Sequence, residues 1–328
     1  MLYLETGNTD PHYNLAFEEY FFSIHPLDED CCILWQNDRS VIIGKYQNTA
    51  EEIDPIYVRE HGISVVRRNT GGGAVYHDLG NLNYSFIVDG TGQNLDFGRF
   101  AIPMVRALER LGIHAEFTGR NDLTVDGRKF SGTAQCIRGG KLLHHGTLLL
   151  SSDLEAVQSA LHVSADKLES KSIKSVRSRV ANLSDYLPHP LSVEEWKAVL
   201  CEELFRDGSK QIYTPKEHER AAISDLCESK YRTWEWNYGR NPQYHIEKSR
   251  RLEGVGRITV HMNVEDGTIT ALAFFGDFFS SIDPDTLAQH LIGCRLTPEC
   301  LQDRLCNENI NHYFLNMTVP QFLDLMLL

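Results

Sequence analysis

Apolar and polar positions along the chain fall into two rhythms, and the change from one to the other marks the elements. Asp10-Pro11 reads as a helix N-cap followed by proline at the first helical position, and the apolar, Glu-containing stretch to Phe22 suits a packed helix. Strand-like runs follow at Ile33–Trp35, Val41–Gly44, Val65–Val66 and Tyr84–Val88. Phe97, Phe100, Ala101, Val105, Leu108 and Leu111 recur at helical spacing up to Gly112, with Pro103 expected to kink that helix or mark its start. The strongest β pattern comes next. Leu123–Val125 meets the turn Asp126-Gly127, Lys129–Ile137 returns, Gly139-Gly140 turns again, and Leu142–Leu150 closes a three-stranded antiparallel unit. Helices are expected near 153–161 and 193–206.

Beyond an aromatic, irregular stretch from Trp234 to Glu247 the pattern changes. Val255–Val264 and Thr268–Phe275 alternate around Asp266-Gly267, and helices are expected near 284–292, 298–306 and 319–327. This reads as a small α+β unit, so two domains are expected, 1–245 and 246–328. A chain of 328 residues fits that division, because single cores stop growing near ~250–300 residues.

The most informative segment is Ser64–Val88, where two apolar runs flank Arg67-Arg68 and Gly71-Gly72-Gly73. Glycine lets a ligand approach the backbone, and guanidinium grips carboxylate or phosphate in two places. The segment therefore reads as an anion-handling loop between strands. A glycine-rich turn with two solvated arginines satisfies the same letters. Neither G-x-x-x-x-G-K-S/T nor G-x-G-x-x-G spacing is present.

Net charge is −13, from 32 basic and 45 acidic residues, which argues against a nucleic-acid partner. No basic-then-apolar leader and no apolar run near ~18–20 residues occurs, so a cytoplasmic protein without a membrane span is expected. Eight cysteines without a C-x-x-C pair read as free thiols and offer no zinc site. Cys31 and Cys32 belong to a core strand, and Cys136 is a weak candidate nucleophile. The basic run Lys167, Lys171, Lys174, Arg177 and Arg179 is either a solvated surface or a docking or closing loop over an anion.

Lys129 sits just past the hairpin turn, and Asn121-Asp122 just before the hairpin. A lysine opposing arginines needs an anion between them. Acyl-adenylation meets that demand: a carboxylate must attack the α-phosphate of ATP, cations offset the repulsion, and an Asp can hold Mg²⁺.

In sequence order the chain presents Ile43-Gly44-Lys45-Tyr46-Gln47-Asn48, then Arg67 to Asp78 with Gly80-Asn81, then Gly119-Arg120-Asn121-Asp122. Lys129-Phe130-Ser131-Gly132, His144 to Leu149, Ser175 to Val180 and Trp234 to Gly239 follow. On these pieces, which span about 240 residues, the chain resembles the lipoate–protein ligase A family of the biotin/lipoate ligase superfamily. The resemblance implies an α+β fold, with a large catalytic domain of mixed sheet and helices and a small α+β accessory domain. It implies activation of lipoate by ATP to lipoyl-AMP with release of pyrophosphate. The lipoyl group would then pass to a lysine on an apo lipoyl domain of a 2-oxoacid dehydrogenase E2 subunit or on the glycine cleavage H protein.

By position, the resemblance makes Lys129 the catalytic residue, contacting the lipoyl carbonyl and the α-phosphate. Arg68, Gly73, Ala74, Val75 and Tyr76 would hold ATP and the acyl-phosphate. Gly73, His77 and His145 would join Lys129 around lipoate, and Asn121 and Asp122 would serve Mg²⁺. His144 and His145 are expected to pin their strand against the substrate channel, and Trp35, Ile43 and Tyr46 are either slot lining or core. A monomer is expected. Two other functions share these residues: an ATP-independent octanoyl or lipoyl carrier-to-carrier transferase, and a non-catalytic lipoate- or acceptor-binding homologue.

Overall fold

The computed structural model describes residues 1–328 except 26, 92–93, 119–120, 162–178, 207, 240–245, 266 and 328. Most of the basic run from Lys167 lies outside the described residues, as do Gly119 and Arg120.

The strands are β1 (Leu2–Glu5), β2 (Cys31–Trp35), β3 (Ser40–Ile43), β4 (Ser64–Arg67), β5 (Val75–His77), β6 (Asn81–Asp89) and β7 (Ala115–Thr118). They continue as β8 (Asp122–Val125), β9 (Arg128–Arg138), β10 (Lys141–Leu149), β11 (Gln211–Ile212), β12 (Ile246–Leu252), β13 (Gly256–Glu265) and β14 (Thr268–Gly276). An eight-stranded mixed sheet runs β11-β1-β2-β6-β10-β9-β8-β7, beside a small sheet β4-β3-β5 and a C-terminal sheet β12-β13-β14. The α+β expectation is met.

Period-two alternation sets both faces of the large sheet. In β2, Cys32 and Leu34 face a core shared with helices Gly98–Glu109 and Val193–Leu204. Cys31, Ile33 and Trp35 face the opposite core, built with helix Pro11–Glu19 and helix Glu217–Leu226. The first of these helices is capped as expected, the Asp10 carboxylate accepting from the His12 backbone N–H, and it widens into a π-helical turn over Tyr20–Ile24. The helix Glu217–Leu226 carries no strong apolar stripe in its sequence and is added by the structure. The helix Gly98–Glu109 runs through Pro103, held by a buried face of Phe100, Ala101, Met104, Ala107 and Leu108.

The β8-β9-β10 hairpins fall where the turns place them. Asp126 and Gly127 both have positive φ (49° and 71°), as do Gly139 and Gly140 (57° and 77°), which is the backbone that two-residue hairpins require. Part of the stretch expected to be irregular forms a short helix, Trp234–Asn237. The C-terminal sheet carries its own core with helices Pro284–Leu291, Pro298–Leu305 and Val319–Leu327. One expectation fails there. Cys294 and Cys300 are joined as a disulfide, because the helix beginning at Pro298 brings its first turn back over the preceding loop, with Cα atoms 6.2 Å apart. The remaining six cysteines are free thiols. Among the described residues no helix is long and apolar enough to cross a membrane.

Candidate active site

Where β5, β6, β9 and β10 converge, the fold leaves a cavity of about 340 Å³. Arg68, Gly73, Ala74, Val75, His77, Asn121, Asp122, Lys129 and His145 all line it, though they come from four separate parts of the chain. Its charged end is open. Lys129 Nζ lies 2.7 Å from Asp122 Oδ1, both side chains 37% exposed. Leu15, Trp35, Ile42 and Val75 contribute apolar surface to its walls, among the polar side chains of His77, Asn83 and Thr133. An elongated ligand with an anionic head and an apolar tail fits such a lining.

Lys129 is aimed by a bulged hairpin. The β8–β9 register shifts between Leu123 and Thr124, and the Lys129 carbonyl accepts from the Ala181 N–H at 2.9 Å. Asn121 is pinned from the opposite strand, its Nδ2 donating to the Thr133 carbonyl at 2.6 Å while its own carbonyl accepts from the Thr133 N–H at 2.9 Å.

The two arginines divide their labour. Arg67 is 1% exposed and donates to the carbonyls of Gly44 (2.9 Å), Gln47 (2.6 Å) and Trp236 (3.0 Å) and to Thr49 Oγ1 (2.7 Å). It is a structural rivet, which corrects its reading as an anion grip. Arg68 does line the cavity. It also shapes the loop, donating to Gly71 O (2.6 Å), Gly73 O (2.9 Å), Ile42 O (3.1 Å) and Thr70 Oγ1 (3.0 Å). Burial pulls its pKa down to about 10, against the pull of Glu18, so it stays charged at neutral pH.

The three glycines have different reasons to be glycine. A Cβ on Gly71 would sit 2.3 Å from the Phe278 carbonyl oxygen, and Gly72 has φ +88° and donates its N–H to that same oxygen at 3.0 Å. Both serve docking of the C-terminal unit. A Cβ on Gly73 would meet only Asp277 Cβ, at 3.8 Å, so Gly73, which lines the cavity beside Gly72, is the one whose bareness no packed neighbour requires. Gly71→Ala is therefore expected to cost about 1–3 kcal/mol of stability, whereas Gly73→Ala should melt like the parent and lose adenylation instead. Urea midpoints and ATP–pyrophosphate exchange on both variants check this; equal melting of the two would contradict it.

The histidines also separate by strand parity. His145 faces the cavity with Nδ1 2.8 Å from the buried Glu18 carboxylate and Nε2 2.7 Å from Thr70 Oγ1. His144 points to the other face and stacks on Phe100 at 4.5 Å between ring centroids, so it does not border the channel. Tyr76 likewise turns away from the cavity into the core of the small sheet with Val41 and Ile43. Tyr46 stacks on Phe278 at 4.9 Å in the C-terminal core, leaving Trp35 as the one slot residue among the three considered. Cys136 is not among the residues lining the cavity, and burial pushes its thiol up to about 12, which disfavours the thiolate that a nucleophile needs.

Sequence reasoning missed Asp277, Glu18 and Asn83. Asp277 reaches the cavity from the C-terminal unit, where it accepts from the Arg251 guanidinium at 3.0 Å. No local pattern marks it.

His77 is held neutral, its pKa lowered to about 3 by burial, then by Arg68 and His145; His144 is lowered well below its ordinary value by burial and by His145. Both folded-state values are depressed, so below about pH 6.5, and for His77 down to about pH 3, the unfolded chain binds protons that the folded protein refuses. This stabilisation is complete above about pH 6.5 and falls as pH drops through that window, by about 1.4 kcal/mol per pH unit for each group. Urea midpoints should fall from pH 7 to pH 5, less steeply in His144→Gln; an unchanged slope in that variant would refute the assignment.

Comparison with known proteins places the chain in a class and then a family. Residues 10–205 match the lipoyl protein ligase A/B catalytic domain, and residues 241–326 match the bacterial lipoate protein ligase C-terminus. The class is thus that of a lipoyl-type protein ligase. The lipoate-protein ligase LplJ of Bacillus subtilis is 43% identical over 99% of this chain and 100% of its own length. A crystal structure of P. falciparum LipL1 in complex with lipoate superposes with a TM-score of 0.80, at 25% identity, covering 98% of this chain and 97% of that one. A lipoate-protein ligase A bound with ATP gives 0.61 at 32% identity, over 73% of this chain and 98% of that one. The chain belongs to the lipoate–protein ligase family and is a ligase.

Proposed function

We propose that this enzyme uses ATP to activate lipoate and then acylates a lysine of an apo lipoyl domain, on a 2-oxoacid dehydrogenase E2 subunit or a glycine cleavage H protein. The observation that carries this reading is that Lys129, Arg68 and the Gly73 backbone line one cavity together with the apolar Trp35, Ile42 and Val75. A lipoate carboxylate oxygen attacks the α-phosphorus of ATP, pyrophosphate leaves, and lipoyl-AMP results. An acceptor amine then attacks the acyl carbonyl, AMP leaves, and the amine proton passes to solvent. Lys129 stabilises charge at both the carbonyl and the α-phosphate. Gly73, Ala74, Val75 and Tyr76 contribute backbone to the nucleotide, and His77 and His145 flank the acyl chain.

Magnesium fits the residues present. It binds through one or two carboxylates plus substrate phosphates, and Asp122 offers a carboxylate at the open end with the Asn121 side-chain oxygen beside it. Among the described residues no group of three or more His, Cys, Asp or Glu could hold a metal ion. When bound it would shield the leaving pyrophosphate. Residues 246–328 would act as an accessory domain to a catalytic domain of 1–245, in a cytoplasmic monomer.

Mass spectrometry of apo acceptors incubated with enzyme, lipoate, Mg²⁺ and ATP should show the lipoyl mass shift only when ATP is present. Modification by free lipoate that proceeds equally without ATP would refute the reading in favour of a transferase.

A further inference from the structure

Gly132 lies inside β9 and lines the cavity, yet its backbone gives no reason for a glycine, since its φ is outside the positive range. The reason is a side chain. A Cβ at Gly132 would sit 2.8 Å from Lys129 Nζ and 3.0 Å from Lys129 Cε. Apart from its own chain neighbours, no other atom of the described residues comes within 4 Å of that point. Gly44, Gly71, Gly80, Gly90 and Gly276 differ, because a Cβ there would run into backbone. At Gly132 the space of the missing side chain is taken by the lysine ammonium.

A β-bulge brings the two residues together. In a regular strand, residues three apart point to opposite faces. Along β9 the partner of Leu123 is Ser131 and the partner of Thr124 is Lys129, so Phe130 is the extra residue and the parity shifts by one. The Lys129 side chain then runs back over Gly132 towards Asp122, the cross-strand partner of Gly132, where Nζ lies 2.7 Å from Oδ1. The Gly132 backbone is itself tied down, its N–H donating to Thr147 Oγ1 on β10 at 3.2 Å. A fixed backbone thus forms a floor under a long, flexible side chain.

We propose that Gly132 is a positioning residue, its bare Cα forming the seat that holds the Lys129 ammonium beside Asp122 and in the cavity. The proposal rests on the ligase reading, with Lys129 as its catalytic lysine. A methyl group on Gly132 would meet the far end of a flexible side chain and no backbone, so the strand can accept it. The lysine cannot stay where it is, because 2.8 Å is well inside the 3.4 Å at which ordinary contact begins. Stability and activity should therefore separate. Glycine in a strand interior is unfavourable, so alanine should fold at least as well. A misplacement of about 1 Å in a reacting group can cost about 10²-fold in rate.

The test is lipoate-dependent ATP–pyrophosphate exchange, together with urea denaturation, on the full chain carrying Gly132→Ala, Lys129→Ala or both. Gly132→Ala should unfold at a urea midpoint equal to or above that of the parent. Its kcat should fall about 10–100-fold, with KM for ATP and for lipoate within about twofold of the parent. In the Lys129→Ala background the same substitution should change the residual exchange by less than about twofold, because no ammonium is left to displace. A full further loss in the double variant would overturn the proposal, since Gly132 would then act on something other than the lysine. A raised KM at unchanged kcat would overturn it as well, the methyl then obstructing the ligand itself. So would a lowered urea midpoint or an unchanged kcat in Gly132→Ala. Absence of lipoate-dependent exchange in the wild type would instead sink the ligase reading, and near-normal exchange by Lys129→Ala would remove the lysine that the seat serves.

Discussion

Replacing Lys129 with alanine should lower lipoate-dependent ATP–pyrophosphate exchange by about 10²–10³-fold, the usual cost of losing one preorganised donor to a developing negative charge. The fold should survive. The Lys129 side chain is partly exposed, its ion pair with Asp122 is an exposed one of the kind worth ~0–1 kcal/mol, and the backbone link to Ala181 does not involve the side chain. Asp122→Asn provides the contrast. It should weaken use of MgATP while retaining the lysine, so its loss should lessen at high Mg²⁺ and that of Lys129→Ala should not. Near-normal exchange by a folded Lys129→Ala protein would remove Lys129 from the chemistry.

The second large effect concerns stability. Arg67→Met should destabilise the protein by about 3–5 kcal/mol, because several buried carbonyls lose a charged donor at once and no water can reach them. Arg67 joins three separate segments: its own strand β4, the turn at 44–49, and the 234–237 helix, where the Trp236 carbonyl accepts from Nε at 3.0 Å and the Trp236 indole donates to the Arg67 carbonyl at 2.8 Å. The Arg67 backbone N–H also donates to Asn237 Oδ1 at 2.9 Å. Arg67→Lys should recover little, since one ammonium has three donors on a flexible stem where the guanidinium has five in a fixed plane. Urea denaturation measures both variants. A loss below about 1 kcal/mol in Arg67→Met would mean the rivet is not needed.

Much of the site was legible because its parts are local. The Asp126-Gly127 and Gly139-Gly140 turns specify their hairpins through backbone conformation alone, and that places Lys129 on a strand beside Asn121-Asp122. Asp10 and Pro11 start their helix by capping chemistry available within a few residues. The glycine triplet with adjacent arginines announced an anion loop, and the cavity contains both Arg68 and Gly73.

What stayed hidden depends on which way a side chain points and on what lies far away in the chain. Arg67 and Arg68 are neighbours with the same chemistry, yet period-two geometry sends one into a cage of carbonyls from residues 44–49 and 236–237 and the other to the cavity wall. The same parity separates His145 from His144 and sends Tyr76 away from the site. Gly71 and Gly72 look like ligand-binding glycines, but Gly71 owes its bareness to the carbonyl of Phe278 and Gly72 to its positive φ and the ring of Phe279, some two hundred residues on. Asp277 and Asn83 enter the cavity by the same long-range assembly. Residue types and short spacings thus determine that a hairpin lysine, an acidic pair and a glycine loop exist here, because turn and strand geometry are set locally. Whether each of those groups meets a ligand or braces the fold is decided only when distant segments pack, because burial and hydrogen-bond partnership are properties of the assembled neighbourhood.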